Sequence, residues 1–368
     1  MKNMIFCHLL NDASGSPRVL RGVIKAINGA NVNAKLFVGT NGRGVLEGCG
    51  IPISRYWYLR STFRVITLFT FLLSQILLFI ALVRDRSIDK NAIIYVNTLL
   101  PFGGALFGKL TGRKVIYHVH EISIQPKLLC SFLCGVVRLT SSINIYVSKA
   151  HTLALPIAGV PAVQIYNSLD DELSLAASNS VYQHRRNGIF SVLMIASLRD
   201  YKGIPELLNL IAAIEDRSDI LFELVVNDEQ IDIDKYFSGK ILPASLIIYP
   251  RTNKMADFYQ RASLVLNLTR VDICIETFGL TILESMAFGV PVIVPPVGGP
   301  AELVSDAIEG FIVDSRDTTL LKEKIVLLAD NASICHKMSR SARLRAQDFS
   351  PQVFASSILD ALQLSSSM

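Results

Sequence analysis

The sequence predicts an α/β protein built as two parallel-sheet halves, and three observations carry that prediction. Short apolar runs alternate with helical patterns along the whole chain, which is the rhythm of βα units. A polar stretch from Asp170 to Gly188 interrupts that rhythm near the middle and has the composition of an interdomain linker. At 368 residues and 51% hydrophobic, the chain is long enough to fill two cores rather than one.

Taken in order, the strands expected in the first half are Met4–His8, Lys35–Gly39, Ile93–Asn97, Lys114–His118, Ile143–Val147 and Val163–Tyr166. The second half restarts with Ile189–Ala196 and continues through Leu221–Val226, Leu246–Tyr249, Leu264–Leu268 and Val290–Val294. Helices are expected from Val19, over Pro205–Ile214 and Met255–Arg261, from the Gly279–Thr281 junction onward, and over Pro351–Leu364. The domains so drawn are 1–175 and 188–348, followed by a last helical segment within 349–368. No internal repeat is visible.

Phe63 to Val83 is about 21 residues of apolar sequence, long enough for roughly 30 Å of helix, with Arg64 its only charge. Arg55 and Arg60 precede it and Arg84 and Arg86 follow. A bilayer span is disfavoured, because the strands expected on either side belong to one sheet and a membrane cannot pass between paired strands. Two readings remain: a crossover helix packed in the core, or a monotopic face that dips into an anionic membrane surface.

Composition narrows the function. A net charge of +5 without a block of like charges gives no nucleic-acid footprint. The six cysteines (Cys7, Cys49, Cys130, Cys134, Cys274, Cys335) form no close pair and have no accompanying histidine cluster, so neither a zinc site nor a disulfide framework is expected and a reducing, cytoplasmic setting is. Met1 to Leu10 reads as a first buried strand rather than a signal peptide.

The densest functional signal runs from Glu276 to Glu284, Glu-Thr-Phe-Gly-Leu-Thr-Ile-Leu-Glu, and on through Ser285-Met286-Ala287-Phe288-Gly289-Val290-Pro291-Val292. A loop that turns into a helix at Gly279 to Thr281 presents unpaired N–H groups and the positive end of a helix dipole, an anion site suited to phosphate. Carboxylates repel phosphate, so Glu276 and Glu284 are better suited to accept hydrogen bonds from sugar hydroxyls. Phosphate with hydroxyls describes a nucleotide-sugar. As isolated residues, two glutamates at a helix start would read as solvated charges.

The segment resembles the Glu-x7-Glu signature of retaining GT-B glycosyltransferases, in particular glycosyltransferase family four, and Gly298-Gly299-Pro300-Ala301-Glu302 is similar to that family's Gly-Gly-x-x-Glu segment. The resemblance implies the GT-B fold, two Rossmann-like domains facing each other across a cleft. It implies a donor site of Gly15, Ser16, Arg199, Lys202, Arg251, Phe278, Gly279, Leu280, Thr281 and Glu284. In the loop Ser197-Leu198-Arg199-Asp200-Tyr201-Lys202-Gly203, Lys202 matches the family's diphosphate-holding Lys. Ser197 stands in the family's Arg position, so Arg199 is the substitute cation. Asn11 to Arg18 resembles the family's N-terminal Gly-rich loop, with one Gly where many members have two, and lacks the Gly-x-Gly-x-x-Gly of nicotinamide-binding proteins. Tyr117-His118-Val119-His120-Glu121 resembles its strand-end His and acid, carried onto His120 and Glu121; with no third ligand, His118 and His120 are not read as a metal site. Asn167 resembles an interdomain motif with a structural role.

The residues expected to act in catalysis are thus His120, Lys202, Arg199 and Glu276, with no metal and no cofactor beyond the nucleoside-diphosphate sugar itself. The partners expected are that donor, a saccharide or lipid-linked acceptor in bacterial surface polysaccharide or lipopolysaccharide biosynthesis, and the inner face of the cytoplasmic membrane. A catalytically degenerate nucleotide-sugar-binding scaffold is the alternative. A glycosidase using Glu276 and Glu284 is disfavoured, because glycoside hydrolysis has no use for cationic phosphate loops.

Overall fold

The computed structural model describes residues 2–28, 32–40, 42, 44–122 and 124–364. The chain divides into two compact units, residues 1–168 with 351–368, and residues 169–350. In the first unit the strands are β1 (Lys2–His8), β2 (Val32–Gly39), β3 (Ile53–Tyr56), β4 (Ile93–Asn97), β5 (Val115–Val119), β6 (Ile143–Tyr146) and β7 (Ala162–Gln164), with helices α1 (Gly15–Asn28), α2 (Arg64–Arg84), α3 (Phe102–Leu110), α4 (Lys127–Thr140) and α5 (Lys149–Ala154). They form one seven-stranded sheet ordered β3-β2-β1-β4-β5-β6-β7, with every neighbouring pair parallel. A parallel sheet is covered on both faces, so β4 and β5 are buried at every residue.

The second unit opens with α6 (Asp171–Ser178) and carries β8 (Phe190–Ala196), β9 (Ile220–Val226), β10 (Leu246–Tyr249), β11 (Leu264–Leu266), β12 (Val292–Val294) and β13 (Gly310–Ile312). Its helices continue as α7 (Ile204–Ala213), α8 (Gln230–Phe237), α9 (Met255–Arg261), α10 (Leu280–Ala287), α11 (Pro300–Leu303), α12 (Thr318–Asp330) and α13 (Ala332–Ala346). The six-stranded sheet runs β10-β9-β8-β11-β12-β13, again all parallel. The last helix, α14 (Pro351–Leu364), belongs to the first unit and lies on α1, where the Phe354 ring sits 3.3 Å from the place a Cβ on Gly22 would take. Residues 365–368 of the expected last segment lie outside the described residues.

Two expectations are corrected. The polar stretch after Asp170 is not a linker: Asp170 caps α6 by accepting from the Glu172 N–H at 2.9 Å, and Arg343 donates to the carbonyls of Ala177 and Ser180 at 3.1 and 2.8 Å. Those bonds make it part of the second unit, so the division falls at Ser168 and Leu169 rather than within 176–187. Polar composition concealed a short helix whose Asp-Asp-Glu start is itself an N-terminal signal. The edge strands β3 and β13 were not anticipated, because runs of four and three residues leave little apolar period to read.

Residues 64–84 connect β3 to β4 within the one sheet, which excludes a span. Only one stripe of α2 is buried: Thr70, Phe71, Ser74, Gln75, Leu78 and Leu82. Gln75 Oε1 accepts from the Gly103 N–H at 3.1 Å, and a Cβ on Gly103 would meet the Gln75 carbonyl at 2.2 Å, so α3 needs glycine there to approach α2. The opposite face of α2 is uncovered, with Val65, Phe69 and Ile76 at 80, 66 and 58% exposure.

Phe354 is 4% exposed and anchors α14 to the first unit. Phe354→Ala is expected to cost about 3–5 kcal/mol, seen as a lowered urea midpoint; an unchanged midpoint would show that α14 contributes nothing to that core.

Candidate functional site

In an open parallel sheet, ligands bind beyond the carboxyl ends of the strands where the strand order reverses. The reversal lies between β1 and β4 in the first unit and between β8 and β11 in the second. Each unit places expected site residues at its own reversal.

In the second unit β8 leads into a tight 3-10 turn, Asp200–Lys202, and then α7. Gly203 joins them at φ 87°, and a Cβ there would meet the Leu268 carbonyl at 2.1 Å, so this loop is pinned against the end of β11. Lys202 is thereby held with its Nζ 3.5 Å from Glu276 Oε1. Glu276 Oε2 accepts from Asn267 Nδ2 at 2.7 Å and from Thr269 Oγ1 at 3.1 Å. Burial opposes the charge on both partners. Their mutual attraction outweighs it, leaving the Lys202 ammonium above its ordinary range and, with the help of Asn267 and Thr269, the Glu276 carboxyl below its own.

The Glu276 backbone is fixed as well. Its carbonyl accepts from the Gly299 N–H at 2.9 Å, and a Cβ on Gly299 would lie 2.2 Å from Phe278 Cα, which explains the glycine pair physically. Gly279, at φ 97°, caps α10, whose first hydrogen bonds run from Ile282 and Leu283 back to the Gly279 carbonyl. The Leu280 and Thr281 N–H groups therefore open the helix without intrahelical acceptors.

Other expected residues sit differently. Arg199 is exposed and, among the described residues, its guanidinium reaches the carbonyl of Leu198, at 3.3 Å. Arg251 is turned toward the loop after β9, donating to the Asn227 carbonyl at 2.7 Å with Glu229 3.5 Å away. The Phe278 ring is buried edge-on to Phe349. Glu284 is 2% exposed, and its Oε2 accepts from the Tyr259 hydroxyl at 2.6 Å. Asn267 and Thr269 were not anticipated, although the alternation Leu266-Asn267-Leu268-Thr269 at the end of an apolar run does put two polar side chains on one face.

In the first unit Gly15 and Ser16 open α1, and His120 and Glu121 follow β5. Glu121 accepts from the N–H groups of Leu99 and His120 at 3.1 and 3.2 Å, yet burial still holds its carboxyl above the usual range. The His120 ring packs against that of His118, tilted by 39° with centroids 4.4 Å apart. His118 is fully buried, with Nδ1 2.8 Å from the Tyr95 hydroxyl, and burial pushes it down to about 3. Burial likewise lowers His8, His120 and His151, with neighbouring imidazoles adding to the effect at His120. Among the described residues no group of three or more His, Cys, Asp or Glu is placed to hold a metal ion.

Residues 183–345 match the family model described as Glycosyl transferases group 1. The second unit belongs to the glycosyl transferases group 1 family. The chain has the GT-B fold, since it superimposes over its length on solved glycosyltransferases of that fold. Anabaena Alr3699/HepE in complex with UDP-glucose covers 99% of this chain and 100% of its own, at TM-score 0.79 and 19% identity. WaaG, a glycosyltransferase involved in lipopolysaccharide biosynthesis, covers 96% and 99%, at 0.73 and 12%. Among curated relatives, a sucrose synthase of Melioribacter roseus is 34% identical over 94 residues, 24% of this chain and 12% of that protein. A D-inositol 3-phosphate glycosyltransferase of Saccharomonospora viridis is 35% identical over 85 residues, 23% of this chain and 20% of its own. The chain thus aligns with less than a quarter of the length of either relative.

The four lowered histidines give a pH dependence of definite sign. Each binds a proton in the unfolded chain near pH 6.5 but not in the fold, so its stability contribution is complete above that pH and is lost as pH falls below it. Each adds a slope of up to about 1.4 kcal/mol per pH unit; Glu121, raised by burial, opposes this closer to the carboxylate range. The midpoint of urea unfolding should fall between pH 7 and 5, and His118→Phe should flatten the slope. A pH-independent midpoint would contradict neutral burial.

Proposed function

We propose that this glycosyl transferases group 1 protein is a retaining, metal-independent glycosyltransferase that moves a sugar from a nucleoside-diphosphate sugar to an acceptor hydroxyl. One observation carries the reading: Lys202, kept charged and facing Glu276, at the reversal of strand order in the unit whose α10 amino end begins at Gly279. A cation and free backbone N–H groups stabilise charge that grows on a leaving diphosphate. In the unliganded protein Glu276 holds Lys202 in place. With donor bound, Lys202 turns to the diphosphate and Glu276 is left to accept from donor-sugar hydroxyls. Arg199, exposed and committed only to a carbonyl, can swing to the same phosphates. Glu284 is assigned to the ribose, and in the first unit His120, with Gly15 and Ser16 at the amino end of α1, is assigned to the donor sugar. Acceptor attack occurs on the face that the diphosphate leaves, and the departing phosphate takes the acceptor proton. The HepE neighbour solved with UDP-glucose supports trying uridine donors first.

The acceptor we propose is a lipid-linked saccharide of bacterial surface polysaccharide synthesis, met at the inner face of the cytoplasmic membrane. The uncovered face of α2 supports this: Val65, Phe69, Leu72, Ile76, Ile80 and Val83 repeat at helical spacing, with Arg60 and Arg64 at one end and Arg84 and Arg86 at the other. An apolar stripe ended by cations suits an anionic lipid interface.

Lys202→Ala should reduce donor turnover about 10²–10³-fold and diminish the thermal shift given by UDP-glucose or UDP, each measured against the variant's own apo melting point. Wild-type protein that neither hydrolyses nor transfers from any nucleotide-sugar, yet still binds one, would favour the degenerate scaffold. In co-sedimentation with phosphatidylglycerol vesicles, Phe69→Glu with Ile76→Glu should release the protein into the supernatant; equal partitioning of variant and wild type would remove the membrane from the proposal.

A further inference from the structure

We propose that Asn97 is a positioning residue that fixes His120 as the Nε2–H tautomer and leaves Nδ1 as a hydrogen-bond acceptor for a substrate hydroxyl. This rests on the reading of His120 as a residue that lines substrate. Asn97 ends β4 at the strand-order reversal and is fully buried. Its amide group meets two unlike partners: Nδ2 lies 3.1 Å from the Ser16 carbonyl and Oδ1 lies 3.0 Å from His120 Nε2. A carbonyl can only accept, so the atom facing Ser16 is the nitrogen and the atom facing His120 is the oxygen. That oxygen can only accept in turn, so Nε2 carries the proton.

A neutral imidazole has one N–H, which leaves a bare lone pair on Nδ1, and among the described residues nothing donates to it. Neutrality is favoured by burial and by the surrounding groups: His118 on β5, His8 on β1 and His151 on α5 all disfavour a charge on His120. The Glu121 carboxylate is directed at the backbone N–H groups of His120 and Leu99. An acceptor-only nitrogen selects a group that donates, so it suits a sugar hydroxyl and disfavours a carboxylate at the same place.

The backbone beside Asn97 supports a positioning role. Thr98 is held at φ 75°, a conformation that β-branched residues avoid, and its N–H donates to the His118 carbonyl at 2.8 Å while Leu99 N–H is held by Glu121. Such strain persists only where the surroundings over-determine it, and it concentrates at functional sites. The asparagine amide is also next to His8, whose Nδ1 lies 3.2 Å from Nδ2 and 3.3 Å from the Asn97 carbonyl. One side chain therefore ties the start of α1, the end of β1 and the imidazole after β5 into a single arrangement.

The test uses the full chain labelled with ¹⁵N-histidine, with the His120 signals assigned by their loss in His120→Gln. Long-range ¹H–¹⁵N spectra report the tautomer and its titration from pH 5 to 8. Wild type should show neutral Nε2–H throughout. The near-isosteric Asn97→Asp places a carboxylate on Nε2 and should raise the His120 midpoint by at least about one pH unit. Asn97→Ser, too short to reach, should give a mixture of tautomers. Both variants should lower kcat for donor turnover about tenfold or more, with KM changed less. A wild-type Nδ1–H tautomer overturns the proposal, as does a His120 whose tautomer and titration are the same in wild type and both variants. If no nucleotide-sugar is turned over, the glycosyltransferase reading fails while the spectra still decide the role of Asn97. If Asn97→Asp does not fold, the wild-type and Asn97→Ser spectra decide.

Discussion

The reversal of strand order in each parallel sheet is the constraint on which the rest of the structure depends. Where the chain leaves the central strand in opposite directions for its two neighbours, the crossover helices go to opposite faces and the strand ends between them stay open. In the second unit, Lys202 after β8 and Asn267 after β11 come from the two sides of that opening. In the first, His8 and Asn97 end the two strands that flank it. Side chains far apart in sequence meet there because the topology leaves no other element to fill the space.

The two units treat charge in opposite ways. The second keeps an ammonium and a carboxylate ionised side by side, with Asn267 and Thr269 supplying the carboxylate's remaining hydrogen bonds. The first gathers four imidazoles whose burial favours the uncharged form, and holds them by hydrogen bonds with amide, hydroxyl and carbonyl groups. A charged cluster is suited to neutralising a leaving group, and a neutral one to recognising hydroxyls without attracting counter-ions. Both depend on low local polarity, which strengthens satisfied bonds and penalises unsatisfied ones.

Helix α2 shows how packing can leave a surface unused by the fold. Its buried stripe, running from Thr70 to Leu82, is enough to seat it against α3 through Gln75 and the close approach at Gly103. Among the described residues of the first unit nothing covers the outward stripe, so Val65, Phe69 and Ile76 stand in solvent at a density unusual for a surface helix.

The sequence by itself determined the architecture and the loop-to-helix junction at Gly279, and it singled out Lys202 and Glu276, which the fold brings within 3.5 Å of each other. Hydrophobic period, turn glycines and helix-start chemistry are local properties and survive without the fold. The segment after Asp170 misled because a short capped helix has a linker's composition, and β3 and β13 escaped because runs of four and three residues carry little pattern. Only the tertiary structure decided who partners whom. It gave Glu276 its Asn267 and Thr269 donors, seated Glu284 against Tyr259, turned Arg251 toward Asn227, and brought Asn97 to His120 from a strand 23 residues away. The Arg251 and Asn97 pairings join the ends of neighbouring strands and the Glu284 pairing joins two helices, and the strand order and packing that set them are written in no single stretch of sequence.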